Sequence, residues 1–156
     1  MTPPRTPSQT VGPFHAIGLS RQRENELTRD GVVLVGRLLD GREAPIDDGV
    51  IELWDGVRWG RSSTDVDGRF TFVLTKPDAR TGEAPHFEVF VFARGLLRHQ
   101  LTRIYFPDET DANASDPVLA VLDELDRQTL VAVPDDGGLR FDIRMQGDRA
   151  TVFFAH

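Results

Sequence analysis

From Val32 to its end the chain is a succession of short apolar runs cut by turn residues, and few folds accept that rhythm. The runs are VVLVGRLL (32–39), VIELWD (50–55), HFEVFVFA (86–93), LTRIYF (101–106), TLVAV (129–133), LRFDIRM (139–145) and ATVFF (150–154). They are rich in β-branched and aromatic residues, and several alternate apolar with polar positions, which suits half-buried strands. Asp40-Gly41, Asp48-Gly49, Asp67-Gly68, the cluster 134–138 and Gly147-Asp148 separate them. Such steps supply the positive φ or local side-chain hydrogen bonds that tight turns need. SSTDVDGRFTFVL (62–74), with Asp67-Gly68 inside, reads as a hairpin. One stretch argues for helix: Asp116 can cap it, Pro117 suits its first position, and Val118, Leu119, Leu122 and Leu125 fall at helical spacing. Many short strands and one short helix predict an all-β chain, a sandwich or barrel over 31–156.

Residues 1–30 have a different texture. The arm 1–14 shows no apolar period, yet TPSQTVGPF (6–14) carries no charge, two prolines and the step Gly12-Pro13. Disordered tails are usually more charged and less apolar than this. SRQRENELTRD (20–30) is of mixed charge and reads as a solvated connection, with room for a turn of helix.

The 156 residues suffice for one sizeable core. A net charge of −7 argues against nucleic-acid and anionic-membrane partners. The absence of cysteine excludes disulfides, thiolate metal sites and a cysteine nucleophile, and it fits a reducing compartment. With no apolar run near the ~20 residues of a membrane span, and no basic-then-apolar start, a cytoplasmic setting is the expectation.

Chemistry-bearing residues are few. The histidines are His15, His86, His99 and His156, and Tyr105 is the one tyrosine. No nucleophile elbow and no phosphate-cradling glycine loop occurs. His86 and Glu88 stand two apart on a strand and share a face, which begins a transition-metal site that His99 could extend. The same pair also fits a buried histidine beside a surface carboxylate. Arg94 follows the run 86–93 at a strand end, where its guanidinium can grip a carboxylate of a ligand or one of the chain's own 25 acidic residues.

APHFEVFVFARG (84–95), RIYFPDETDANASDPVL (103–119) and RFDIRMQGDRATVFF (140–154), together with TPSQTVGPF and GRSSTDVDGRFTFVLTKP (60–77), resemble the intradiol ring-cleavage dioxygenases. The likeness runs in order over nearly the whole chain. The arm motif and FARG resemble the alpha-type chains of that family. What the resemblance implies is a prealbumin-like β-sandwich and a two-chain enzyme. A beta chain would hold a ferric iron through two tyrosines and two histidines. The substrate would be a catechol-type aromatic acid that chelates the iron and is opened by dioxygen between its hydroxyl-bearing carbons. For protocatechuate the product would be 3-carboxy-cis,cis-muconate.

Carried over by position, the resemblance gives this chain no catalytic residue and no metal. His86 falls at the first iron histidine, and Glu88 stands at the second. The segment WDGVRWG (54–60), where the family has a long insert with a tyrosine, has none. Neither has DARTGEAP (78–85), the place of the second tyrosine. Tyr105 lies in a strand common to both chain types and reads as structural. On this view His86 and Glu88 are the relic of a metal site. Gly12 and Pro13 would line the pocket of the beta chain, and Arg94 would lie near the substrate carboxylate, whose desolvation calls for a cationic partner. Two other readings stand beside this one: a transthyretin-like binding module that has left catalysis, and an independent metalloenzyme built on His86, Glu88 and His99.

Overall fold

The computed structural model describes residues 4–155. Residues 1–3 of the arm and His156 lie outside the described residues. Among the described residues, nine strands form two sheets, so the all-β expectation holds. β1 (Val32–Leu39), β4 (Arg69–Leu74), β7 (Val133–Asp135), β8 (Gly138–Arg140) and β9 (Ile143–Arg144) make one sheet, in the order β4-β1-β8-β7 with β9 also on β1. β2 (Val50–Trp54), β3 (Trp59–Ser63), β5 (His86–Phe92) and β6 (Gln100–Tyr105) make the other, in the order β3-β2-β5-β6. The strands of the second sheet are all antiparallel to their neighbours, whereas β8 and β9 run parallel to β1.

The core lies between the sheets and follows the period of two that the sequence shows. Leu34, Phe70 and Phe72 from the first sheet meet Ile51, Phe87 and Val89 from the second, all at most 1% exposed. At about 25 cal/mol per Å² of apolar surface removed from water, side chains of this size dominate the stabilisation. On the opposite face of β5, His86 is buried while Glu88, Phe90 and Phe92 are partly exposed. This outer face carries the chemistry considered below.

Several expectations need correction, among them TLVAV (129–133), which makes a single bridge from Val131 to Tyr105 before β7 begins at Val133. The segment 62–74 is not a hairpin: β3 and β4 lie in different sheets, and the Asp67-Gly68 turn carries the chain across the sandwich edge. Gly68 has φ +71°, and a Cβ there would fall 2.7 Å from the Leu38 carbonyl oxygen, so the crossover needs glycine. A local sequence pattern specifies the turn but not which sheet receives the next strand. The one helix expected after Asp116 is divided into a 3-10 turn at Leu119–Val121 and a helix, here α3 (Glu124–Gln128), with its own cap at Asp123. Two further short helices are present, α1 (His15–Leu19) and α2 (Thr110–Ser115). The run 150–154 makes a single bridge, Leu101 to Phe154, instead of a strand.

The mixed-charge stretch 20–30 is seated rather than solvated along its middle. Asn25 and Leu27 exchange backbone hydrogen bonds with Val73, Glu24 accepts one from Arg61, and Leu27 packs on the core. One apolar residue among charges is enough to dock the segment, because its backbone also finds an open strand edge.

The segment 54–60 forms a complete hairpin end. Trp54 pairs with Trp59, and Asp55 accepts from the backbone N–H groups of Val57 (2.9 Å) and Arg58 (2.6 Å). Burial works against the Asp55 charge, but those N–H groups and the Arg58 guanidinium at 2.6 Å outweigh it and hold the carboxyl below its ordinary range. Where the resemblance implies a long insert, this chain closes the two strands with a self-satisfied turn.

Candidate functional site

Strand β5 places a candidate group at each of its two ends. At its start, His86 is 2% exposed. Its Nδ1 lies 2.8 Å from the Ala84 carbonyl oxygen, which fixes that nitrogen as the donor of a neutral ring. Nε2 is buried without a hydrogen-bond partner, 3.8 Å from Glu83 Oε2. Burial, with the positive charge of Arg103 adding to it, lowers the imidazole pKa. Neighbouring strands supply the rest of the pocket, because His86 lies opposite Tyr105 and Glu88 lies between Trp54 and Arg103.

Two arginines close this end. Arg103 donates to Glu83 Oε1 at 3.3 Å and to the Tyr105 hydroxyl at 3.2 Å. Arg80 comes from the segment where the resemblance implies a tyrosine, and its Nη1 lies 3.7 Å from Glu88 Oε1. Tyr105 in turn donates to Asp116 Oδ1, at 3.2 Å. Burial is the main cause that pushes the Tyr105 phenol up to about 12. A phenol held protonated in this way is a poor iron ligand.

The donor set therefore does not fit the family's ferric site. One imidazole remains, the carboxylate beside it faces a guanidinium, and the tyrosine is committed to a hydrogen-bond chain. His99 does not join His86 and Glu88: its ring packs between Phe90 (5.5 Å) and Phe92 (5.4 Å), at the other end of the strand. No group of three His, Cys, Asp or Glu side chains suited to a metal ion occurs among the described residues.

Sequence reasoning missed the centre of this network. Asp116 is 1% exposed and accepts four hydrogen bonds, from the N–H groups of Ala84 (2.9 Å), Val118 (2.9 Å) and Leu119 (3.1 Å) and from the Tyr105 hydroxyl. Its place before Pro117 signals a cap; the N-cap position of the 3-10 turn is Val118, while Asp116 accepts the N–H groups of Val118 and Leu119 that lead into it. Nothing local signals that the same carboxylate also ties down the start of β5.

The far end of β5 differs in every respect. Arg94, just past the strand, has a side chain 60% exposed. Its Nε lies 3.1 Å from Asp48 Oδ2, and its Nη2 lies 3.7 Å from Asp47 Oδ1. The Asp48 side chain is 8% exposed, and both its oxygens lack a hydrogen bond of good geometry, so Arg94 is its charge partner. Gly95 follows with φ +88°, which turns the chain back toward β6.

The arm comes to this end. The Gly95 N–H donates to Thr10 Oγ1 at 2.7 Å. Gly12 accepts from His15, which opens α1. Pro13 and Arg94 border the same shallow open cavity of about 440 Å³, whose other walls include Phe14, Ile17, Asp47 and Asp48. Gly12 lies one residue outside that lining. Of the three positions singled out in the sequence, tertiary structure thus puts two on one cavity and the third beside it. Asp47 and Asp48 were legible only as turn residues.

No family model matches the chain. It is 37% identical to the protocatechuate 3,4-dioxygenase alpha chain of Burkholderia cepacia over 190 aligned positions, covering 96% of this chain and 96% of that one. Against the alpha chain of Pseudomonas putida it is 34% identical, covering 97% and 96%. The alignments run longer than the chain itself, so these relatives carry segments that it lacks. Its likeness to the protocatechuate 3,4-dioxygenase beta chain of Burkholderia cepacia is weaker, 24% over 92% of this chain and 77% of that one. Among solved structures, the dioxygenase domain of a dioxygenase carbohydrate-binding fusion from Streptomyces sp. SirexAA-E superposes with a TM-score of 0.61 at 23% identity, covering 79% of this chain and 87% of that one. An intradiol ring-cleavage dioxygenase from Tetranychus urticae gives the same TM-score at 16% identity, covering 77% and 83%. These two show the same sandwich.

Proposed function

The chain belongs to the protocatechuate 3,4-dioxygenase alpha-chain family of intradiol dioxygenases, and on that premise we propose that it is the non-catalytic subunit of a two-chain enzyme that opens protocatechuate with dioxygen. A beta-type partner holds the ferric iron, which supplies the activation of the bound catechol toward dioxygen. This chain supplies binding and shape. Arg94 offers its guanidinium to the substrate carboxylate, and a charged, forked donor offsets the desolvation of that group. The backbone at Gly12-Pro13 lies along the ring, where a residue without a side chain followed by one of fixed φ permits close approach.

The observation that carries this reading is the asymmetry of β5. Its start is closed by arginines and offers no open metal position, while its end presents an exposed arginine beside the arm on one open cavity. Phe14 and Ile17 of that cavity are each 75% exposed, an apolar pair suited to burial against another chain. We assign residues 1–30 to reaching that partner and 31–156 to the sandwich. No helix of the described residues is long and apolar enough to cross a membrane, and with the absence of cysteine this supports a cytoplasmic enzyme.

The test is reconstitution. Purified alone, the chain is expected to hold no stoichiometric iron, to lack the burgundy tyrosinate-to-iron absorption, and to consume no oxygen with protocatechuate. Co-expressed with a beta-type chain, it should give an active complex. Iron and the coloured band in the isolated chain would overturn the assignment. An inactive but stable complex would favour a binding module that has abandoned catalysis.

A further inference from the structure

Thr10 connects the arm to the sandwich. Its Oγ1 accepts the Gly95 N–H at 2.7 Å, and its hydroxyl hydrogen points on to the Val11 carbonyl at 3.2 Å. Among the described residues, this is the one hydrogen bond that ties 4–13 to a sandwich strand or its turns. It joins positions 85 residues apart in sequence.

The location of the clip matters more than its strength. Gly95 directly follows Arg94, and Gly12 lies two residues beyond Thr10. A chain advances at most about 3.3–3.6 Å per residue, so a fixed Thr10 confines Gly12 to within about 7 Å, and Pro13 to within about 11 Å, of travel from the anchor. The hydrogen bond that holds the arm therefore also sets the distance between the Gly-Pro step and the guanidinium. Downstream, the link from His15 to the Gly12 carbonyl, with Nδ1 at 2.9 Å, holds the other side of the step. Without Thr10 the step would be fixed from one side only. Loose backbone costs roughly 1–2 kcal/mol per residue to order on binding, and that cost would fall on substrate association.

We infer that Thr10 is a positioning residue for substrate binding, its hydroxyl registering Gly12-Pro13 against Arg94 through the Gly95 amide. The inference rests on the reading of Arg94 and the arm given above. It requires an acceptor oxygen at position 10 and no more, so serine should serve and valine, of similar shape, should not.

The experiment compares Thr10→Val, Thr10→Ser and Arg94→Ala in the assembled two-chain enzyme, with protocatechuate as the probe. Sedimentation confirms that each complex is intact. Thr10→Val is expected to raise KM about three- to tenfold, as loss of one hydrogen bond implies, with kcat changed by less than about twofold. Thr10→Ser should restore KM. In the valine variant the Gly95 amide should exchange its hydrogen faster, a readout independent of activity. If Thr10→Val leaves KM and Gly95 exchange unchanged while Arg94→Ala raises KM, the role of Thr10 is wrong and the reading of Arg94 stands. A KM that shifts equally in the serine and valine variants would also overturn the role of the hydroxyl. If Arg94→Ala leaves KM unchanged as well, both fall together.

Discussion

One strand, β5, ends in two unlike environments. At its start, His86, Tyr105 and Asp116 are buried, two arginines face two glutamates, and hydrogen bonds knit three segments together. At its end, Arg94 is largely exposed beside Asp47 and Asp48, and the Gly95 amide makes a single hydrogen bond to the arm. The first end has the position of a metal site and the chemistry of a structural joint. The second lacks regular structure but holds a cation free enough to meet a ligand. On the proposed reading, the position that the family resemblance assigns to a ligand at His86 is here closed by ion pairs and hydrogen bonds. Here the imidazole stays neutral against the Ala84 carbonyl, Arg80 faces the partly buried Glu88, and Arg103 pairs with Glu83. On the function proposed above, substrate would be met at the end where charge remains accessible.

Substitutions should therefore affect stability at one end and affinity at the other. The largest effect is expected from Asp116→Ala, which strands three backbone N–H groups and the Tyr105 hydroxyl in a buried place. A loss of about 3 kcal/mol or more in urea unfolding is expected. A loss under about 1 kcal/mol would mean that the start of β5 is not the joint described. Arg94→Ala should do the opposite. Protocatechuate KM in the complex should rise about tenfold, while stability falls by about 1–2 kcal/mol, less than in Asp116→Ala, because the arginine side of the pair is solvated although buried Asp48 loses its charge partner. Equal losses in stability and affinity would erase the contrast.

The smallest effect concerns pH. Burial lowers the His86 pKa from 6.5, so above that value neither the folded nor the unfolded chain carries the proton. Below it the unfolded chain takes up a proton that the native state refuses, and stability falls as pH drops from 6.5 toward the lowered native value. The slope should stay below about 1.4 kcal/mol per pH unit, the limit for one proton. His86→Asn, which keeps a donor for the Ala84 carbonyl, should remove it. An unchanged slope would place the responsible group elsewhere.

Much of this was legible in the chain before it was folded. VVLVGRLL, VIELWD, HFEVFVFA and LTRIYF became β1, β2, β5 and β6 within a residue or two, because a period of two with β-branched and aromatic residues leaves little else to form. That no tyrosine stands at 54–60 or 78–85, and that Glu88 stands at the second histidine's place, could be read only through the family resemblance. The crossover at Asp67-Gly68 was not, since a turn looks the same locally whether the next strand joins the same sheet or the opposite one. Nor was the docking of 24–27, which depends on the open edge beside Val73.

TPSQTVGPF marks the division well. Its lack of charge and its two prolines set this arm apart from a typical charged tail, and those are properties of the residues themselves. That Thr10 reaches Gly95, and that Pro13 shares a cavity with Arg94 across eighty intervening residues, was decided by the sandwich. Hydrogen bonds and shared cavities depend on positions in space, and only the packing of the two sheets brings those positions together.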